Sequence, residues 1–270
     1  DLGSRNIQPV EKPSVMMLTG EGVNLYEAGE TWYYLDRHVG IPLSMVDTER
    51  LPSADLTRYS HIIMVDGHYS NLDKQLRKKI QNWVSQGGTI IGQRGGAEWL
   101  AENGLLQTRF IDDAVFQSAF TKKQLSYEER DDFYAEQRIA GAIFSMDVDT
   151  SHPLFFGFPR DQMPVFKNSA AAMEEPESPF VSVARYSEQP LMSGYTDERN
   201  REILKGKTNI AAHRLGNGQV IGFADNINFR AYFWGTSKLL SNAIYLAPRI
   251  QVYAKKLDDK AAADAAAEAH

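Results

Sequence analysis

The sequence predicts an α/β fold: a flavodoxin-like, doubly wound, mainly parallel sheet with additional β-runs and a hairpin in the C-terminal half. Three observations predict it. Short apolar runs at 14–19, 43–47, 61–66 and 89–92 alternate with helical patterns through residue 104, the mark of βαβ units and a parallel sheet. Right-handed crossovers then make a doubly wound core the natural topology. From residue 143 the pattern changes to short β-runs, and Leu215-Gly216-Asn217-Gly218 carries a hairpin signal.

In chain order, residues 1–13 are polar with two prolines and read as a linker. The run 14–19 sits between Pro13 and Gly20 and reads as a buried strand. Residues 30–38 read as a helix ending near Gly40, with Pro42 beyond and a second strand at 43–47. The third strand, 61–66, closes at Gly67. Asn71 is placed to cap a helix over 72–86, in which Leu72, Leu76, Ile80 and Trp83 share one face. Gly87-Gly88 ends it, and 89–92 is the fourth strand before a helix at 97–102.

Residues 105–142 are charged and glycine-poor, and they read as a helical insertion centred on 128–138. Five β-runs follow, at 143–148, 164–167, 180–186, 209–215 and 219–224, and residues 173–178 read as an acidic surface loop. A helical pattern returns at 236–245. Residues 14–250 thus read as a single domain. The tail, 251–270, is Ala-rich and reads as a frayed terminal helix or as disordered.

Composition narrows the function classes. The chain has 270 residues, 43% hydrophobic and 24% charged, an ordinary globular balance. A net charge of -6 argues against a nucleic-acid partner, which needs a clustered positive face. The basic run Arg77-Lys78-Lys79 reads as a solvated helix face. There is no cysteine, so no disulfide, thiolate metal site or cysteine nucleophile exists. No apolar run approaches the roughly 18 residues needed to span a bilayer. The chain begins at Asp1 without methionine or a signal-like stretch, and reads as a processed product or a piece of something longer.

The sequence turns on Gly92-Gln93-Arg94-Gly95-Gly96, between an apolar β-run and a helix. That is the layout of a nucleophile elbow, where glycines let the chain turn sharply and present one side chain above the sheet. Here the presented residue is Arg94, which has no accessible deprotonated form with which to attack. In an open parallel sheet the useful crevice lies at the C-terminal strand ends. Glu21, Asp66, His68 and Arg94 arrive there, and Asp225, Asn228 and Arg230 follow the last β-run, with Asn226 between them. An arginine fork with carboxylates can bind a carboxylate or amide. The plainer expectation is that Arg94 pairs with Glu21, Asp66 or Glu98 and closes the site.

The remaining motifs read as structural. Gly20-Glu21-Gly22 lacks both the Gly-x-Gly-x-x-Gly spacing and a P-loop lysine, so it is no phosphate cradle. His68 reads as loop surface, His152 as a turn residue and His213 as part of a strand. Tyr232, Phe233 and Trp234 read as packing between the last strand and the final helix, with stacking on a sugar or peptide as the alternative. Trp32, Tyr33 and Tyr34 face the same choice.

Thr19-Gly20-Glu21-Gly22, the segment 29–42, Asp66-Gly67 and the segment 83–96 resemble a class I glutamine amidotransferase-like domain. Asp149-Thr150-Ser151-His152-Pro153-Leu154, Ser193-Gly194-Tyr195, Leu215-Gly216-Asn217-Gly218 and, most specifically, Phe229-Arg230-Ala231-Tyr232-Phe233-Trp234-Gly235-Thr236 resemble the C-terminal region of bacterial secreted zinc carboxypeptidases of the carboxypeptidase A type. The resemblance spans about residues 13–247. It implies an accessory domain that follows a peptidase domain in a secreted or periplasmic protein. The upstream peptidase domain, peptide substrate and a second copy of the chain are its implied partners.

The departures from the family pattern lie in the chemistry. The amidotransferase nucleophile falls at Arg94. No histidine has a glutamate three residues later, so the peptidase zinc site is not here, and zinc is expected only upstream. No cofactor is expected in this chain. The expectation is a non-catalytic accessory domain. The alternatives are a carbohydrate- or small-ligand-binding module, and a stand-alone hydrolase using Asp66 and His68.

Overall fold

A computed structural model describes residues 9–121 and 124–257. One nine-stranded sheet organises them, in the order β2-β1-β3-β4-β9-β8-β7-β5-β6. The first five strands in that order are β2 (Leu43–Asp47), β1 (Val15–Thr19), β3 (His61–Met64), β4 (Thr89–Gln93) and β9 (Gly218–Phe223), and they run parallel. This is the 2-1-3-4-5 order of one kind of doubly wound sheet. β8 (Thr208–Leu215), β7 (Ser182–Ser193), β5 (Ala142–Val148) and β6 (Gln162–Lys167) extend the same sheet antiparallel from β9.

Burial explains why the parallel strands were legible. β3, β4 and β9 are buried along their whole length, so they read as continuous apolar runs. β2 is the sheet edge and leaves Ser44 and Met45 exposed. One apolar cluster joins both halves of the sheet, from Met16 and Ile62 to Phe144 and Val183. The hairpin falls where expected: β8 and β9 meet through Gly216 and Asn217, with Leu215 paired to Gly218. Gly216 has φ 63, and a Cβ there would lie 2.6 Å from the Ser85 carbonyl.

Several boundaries move for local reasons. The first helix, α1 (Leu25–Tyr33), starts earlier than expected because Asn24 caps it, accepting from the amides of Tyr26 and Glu27. It continues as a π-helical turn, Tyr34–Val39, and stops at Gly40 with φ 74. α2 (Lys74–Ser85) is capped by Asp73, not Asn71; Asn71 instead donates to Thr48 Oγ1 at 2.8 Å. α3 (Gly95–Glu102) follows β4 directly.

The segment 105–142 carries two short helices, α4 (Asp113–Ser118) and α5 (Arg130–Glu136). α6 (Glu198–Leu204), capped by Asp197, is a helix that the sequence pattern does not predict. α7 (Trp234–Leu246) is the expected final helix. The acidic stretch 173–178 is not a surface loop: Met173 is fully buried and bridges both Phe110 and Thr208, while Glu174 and Glu175 pair with Lys207 and Arg185. Residues 1–8 of the linker expected over 1–13, and residues 258–270 of the tail expected over 251–270, fall outside the described residues.

Candidate functional site at the elbow

The elbow is real, and its strain sits on Arg94 itself. Arg94 has φ 48 and ψ -120, between the end of β4 and the start of α3. A bulky residue in that region costs on the order of 1–3 kcal/mol and persists only where its surroundings enforce it. Gly95 and Gly96 are not in left-handed conformation; they allow close approach. A Cβ on Gly95 would collide with the Gly67 carbonyl, and one on Gly96 would collide with the Met64 carbonyl. The glycines therefore let α3 start against the end of β3, and this leaves Arg94 at the apex. Its own amide donates to the Phe223 carbonyl at 2.8 Å.

The Arg94 side chain turns to α1. Nη1 donates to Glu27 Oε1 at 2.6 Å and lies 3.3 Å from Asp66 Oδ2. Asp66 is held in turn: Oδ1 accepts from the Gly95 amide at 3.1 Å, and Oδ2 accepts from Asn24 Nδ2 at 3.2 Å. The amide after the elbow residue is the donor that would face an oxyanion in an active elbow. Here a carboxylate of the chain occupies it. The β1 and β3 loops are also tied together, since Val23 bridges Gly67 and the Asn24 amide donates to the Asp66 carbonyl at 2.9 Å.

Glu27 is 5% exposed. Burial pushes its carboxyl up to about 7, against the pull of Arg94, with Asp66 adding to the rise. For Arg94, burial disfavours the charged guanidinium, yet Glu27 and Asp66 outweigh that and hold its pKa above the ordinary arginine value.

Under the end of β9 lies a second charged cluster. Asp225 is 1% exposed and Lys167 0%. Lys167 Nζ lies 3.1 Å from Asp225 Oδ1, and Asp225 Oδ2 accepts from Tyr186 at 2.6 Å and from Asn209 Nδ2 at 2.7 Å. Lys167 also donates to Tyr186 Oη at 2.7 Å and to the Ala171 carbonyl. Burial lowers the Lys167 pKa and raises that of Tyr186. These groups satisfy one another inside the sheet, and Asp225 is thereby a structural anchor, not a side chain offered to the crevice.

The candidate residues therefore divide. Asp66 and Arg94 come together. Glu21 lies exposed in its loop, and Glu98 is exposed on α3, so neither is the partner that was expected for Arg94. His68 is exposed, and the polar contacts of Asp66 go to Arg94, Asn24 and Gly95. Asn228 is fully buried and donates to Ser237 Oγ at 3.1 Å. Arg230 is exposed, with its backbone at φ 49.

Sequence reasoning missed Glu27, Glu30, Lys167, Tyr186 and Asn209. Glu27 had a signal: Asn24-Leu25-Tyr26-Glu27 has capping-box spacing, with Glu27 at the third helical position. Of the other histidines, His213 is fully buried between the Gln107 amide and the Arg214 carbonyl, and His152 caps a short turn by accepting from the Leu154 amide. Contrary to the packing expectation, Tyr232 and Trp234 are not inside; they are 56% and 55% exposed. Among the described residues, no group of three or more His, Asp or Glu side chains is placed to hold a metal ion, and no helix is long and apolar enough to cross a membrane.

No family model matches the chain, and no curated protein does. Solved structures do. A ThuA-like protein from Parabacteroides merdae is similar at 13% identity with a TM-score of 0.57, over 92% of this chain and 94% of that one. The structure of PurLQS from Thermotoga maritima is similar at 14% identity and a TM-score of 0.54, over 86% of this chain and 98% of that chain. A β-galactosidase from Bacillus circulans is similar at 13% identity and a TM-score of 0.50, over 88% of this chain. This chain spans only 32% of that β-galactosidase. At these identities the likeness is one of fold, and the fold is of the glutamine amidotransferase-like and ThuA-like kind.

Proposed function

We propose that this chain is a non-catalytic, amidotransferase-like accessory domain, which supports a larger protein or binds for it. The observation that carries the reading is Arg94. The elbow keeps its strained backbone, but the apex residue is a guanidinium paired with Glu27, and Asp66 fills the neighbouring amide. A site so filled has neither a nucleophile nor a free oxyanion donor.

The finer reading follows the resemblance of the segment 229–236. The parent is a secreted or periplasmic zinc carboxypeptidase, its zinc and its hydrolysis belong to an upstream peptidase domain, and residues 14–250 form one domain beside it. Peptide substrate and a second copy are the further partners of this reading. The coding sequence upstream of Asp1 tests the parent: a His-x-x-Glu pair with a distant histidine is expected, and an unrelated domain there would replace it.

Activity assays test the domain itself. The purified chain is expected to release no ammonia from glutamine and to cleave neither esters nor C-terminal residues of peptides above the buffer rate. Turnover that Arg94→Ala or Asp66→Asn abolishes would overturn the non-catalytic reading. The hydrolase alternative through Asp66 and His68 has no geometric support, because Asp66 is engaged by Arg94, Asn24 and Gly95. A ligand-binding module is the second reading, favoured by the exposure of Tyr232 and Trp234.

A further inference from the structure

A second strained segment lies beside the elbow. Arg230 and Ala231 both have left-handed backbone, at φ 49 and φ 53, in the loop between β9 and α7. Two consecutive non-glycine residues there need outside support. Glu30 of α1 supplies it: Oε1 accepts from the Arg230 amide at 2.8 Å and Oε2 accepts from Asn226 Nδ2 at 2.7 Å. Below the loop, Phe229 stacks on Phe166 with centroids 3.5 Å apart, and Thr236 Oγ1 donates to the Ile227 carbonyl at 2.7 Å.

The supported loop lifts aromatic rings into solvent. Trp234 and Tyr232 are more than half exposed, and Tyr33 on α1 is 42% exposed. The rings form a row: Tyr33 lies 4.9 Å from His38, and His38 lies 4.4 Å from Trp234, both edge-to-face. Tyr232 belongs to a second ring group in the same loop, edge-to-face with Phe229 and with Phe233, each at 6.1 Å. The Arg230 guanidinium stands 5.3 Å over the Phe229 ring, at the rim.

We propose that this aromatic row is a carbohydrate-binding platform, with Trp234 and Tyr33 stacking on pyranose rings and Arg230, whose amide is tied through Glu30 to the helix that carries Tyr33, meeting their hydroxyls. The chemistry of the row selects the occupant. Its rings are Tyr, His and Trp, each apolar on its face and polar at its edge. A pyranose has the same division, with C–H groups on its face and hydroxyls around it. A protein partner would need about 800 Å² on each side and would strip water from Arg230 and the ring edges. The strain fits the role, because a loop held out of its preferred backbone by a half-buried clamp presents rings in a fixed arrangement before ligand arrives. The proposal rests on the ligand-binding reading above and is independent of whether the elbow is catalytic.

The test is affinity electrophoresis of the whole chain through gels containing soluble β-glucan, xylan or mannan, followed by tryptophan-fluorescence titration with the matching oligosaccharides. At least one polysaccharide is expected to retard the protein. Trp234→Ala and Tyr33→Ala are each expected to weaken binding tenfold or more with an unchanged circular dichroism spectrum. Glu30→Ala, which deletes no ring but releases the loop, is expected to weaken it as well. Met45→Ala, on the far edge strand, is expected to change nothing. Retardation by none of the three, or retardation that survives both ring substitutions, would overturn the proposal. So would a concentration-dependent dimer that Trp234→Ala dissolves, which would assign the face to a second copy. Retention without turnover keeps both readings, and turnover by a chain that is still retained sinks only the non-catalytic one.

Discussion

The elbow at Arg94 and the loop at Arg230 are built alike and end differently. They follow neighbouring parallel strands, β4 and β9. Each puts an arginine in left-handed backbone, at φ 48 and φ 49. Each is tied to α1, by Glu27 in one case and Glu30 in the other, three residues apart and so on one face of that helix. At the elbow the arginine side chain turns inward and is neutralised by Glu27 and Asp66. At the loop only the backbone is clamped, and the arginine and its aromatic neighbours stay in solvent. Strain alone therefore does not mark a working site; what the strained residue's side chain meets decides what the segment can do.

Several experiments break or sharpen that comparison. The largest effect is expected at the root of the loop. Lys167→Met leaves Asp225 buried without its cation and is expected to cost about 3–5 kcal/mol in urea unfolding. Arg94→Met strands Glu27 in the same way. Its cost is expected to be smaller, about 2–3 kcal/mol, since Arg94 is 19% exposed and Glu27 can take up a proton. Glu30→Ala removes two accepted hydrogen bonds at a half-buried position, and about 1–2 kcal/mol is expected. Hydrogen exchange should show the Arg230 amide losing protection in that variant while the Arg94 amide keeps it.

A separate effect is expected on pH dependence. The Glu27 carboxyl moves from an ordinary 4.5 up to about 7 on folding. Between those values the folded chain holds a proton that the unfolded chain has released. The contribution of Glu27 is thus full below pH 4.5 and is lost as pH rises through about 7. His61 and His152, lowered to about 4 by burial, act in the opposite sense, adding stability as pH rises from about 4 to 6.5. The wild-type stability curve minus that of Glu27→Gln isolates the first effect, and that difference is expected to fall with rising pH across the interval.

What the sequence made legible follows from what patterning can encode. The strands β1, β3 and β4 are buried on both faces, and their apolar runs announce them. The elbow was visible because its glycines are needed for backbone contact with Gly67 and Met64. The expectation that Arg94 closes the site names Asp66 correctly but omits Glu27, because a helix beginning at residue 30 leaves Glu27 and its Asn24 cap outside it. Lys167 could not have been found. A lysine at a strand end reads as solvated, and only the antiparallel pairing of β6 with β5 and β5 with β7 brings its ammonium under Asp225. The exposure of Tyr232 and Trp234 is hidden for the opposite reason. Apolar rings before a helix read as core, and the two positive φ angles just ahead of Tyr232 and Trp234 leave no mark in composition.

The central claim is that the elbow apex has become a structural ion pair. A double-mutant cycle with Arg94→Met and Glu27→Gln, followed by urea unfolding at pH 8 where Glu27 is ionised, tests it most directly. A coupling of at least about 1 kcal/mol is expected, within the range for groups in contact. Additive effects, with Arg94→Met as stable as the wild type, would contradict the claim and return Arg94 to the crevice as a free group.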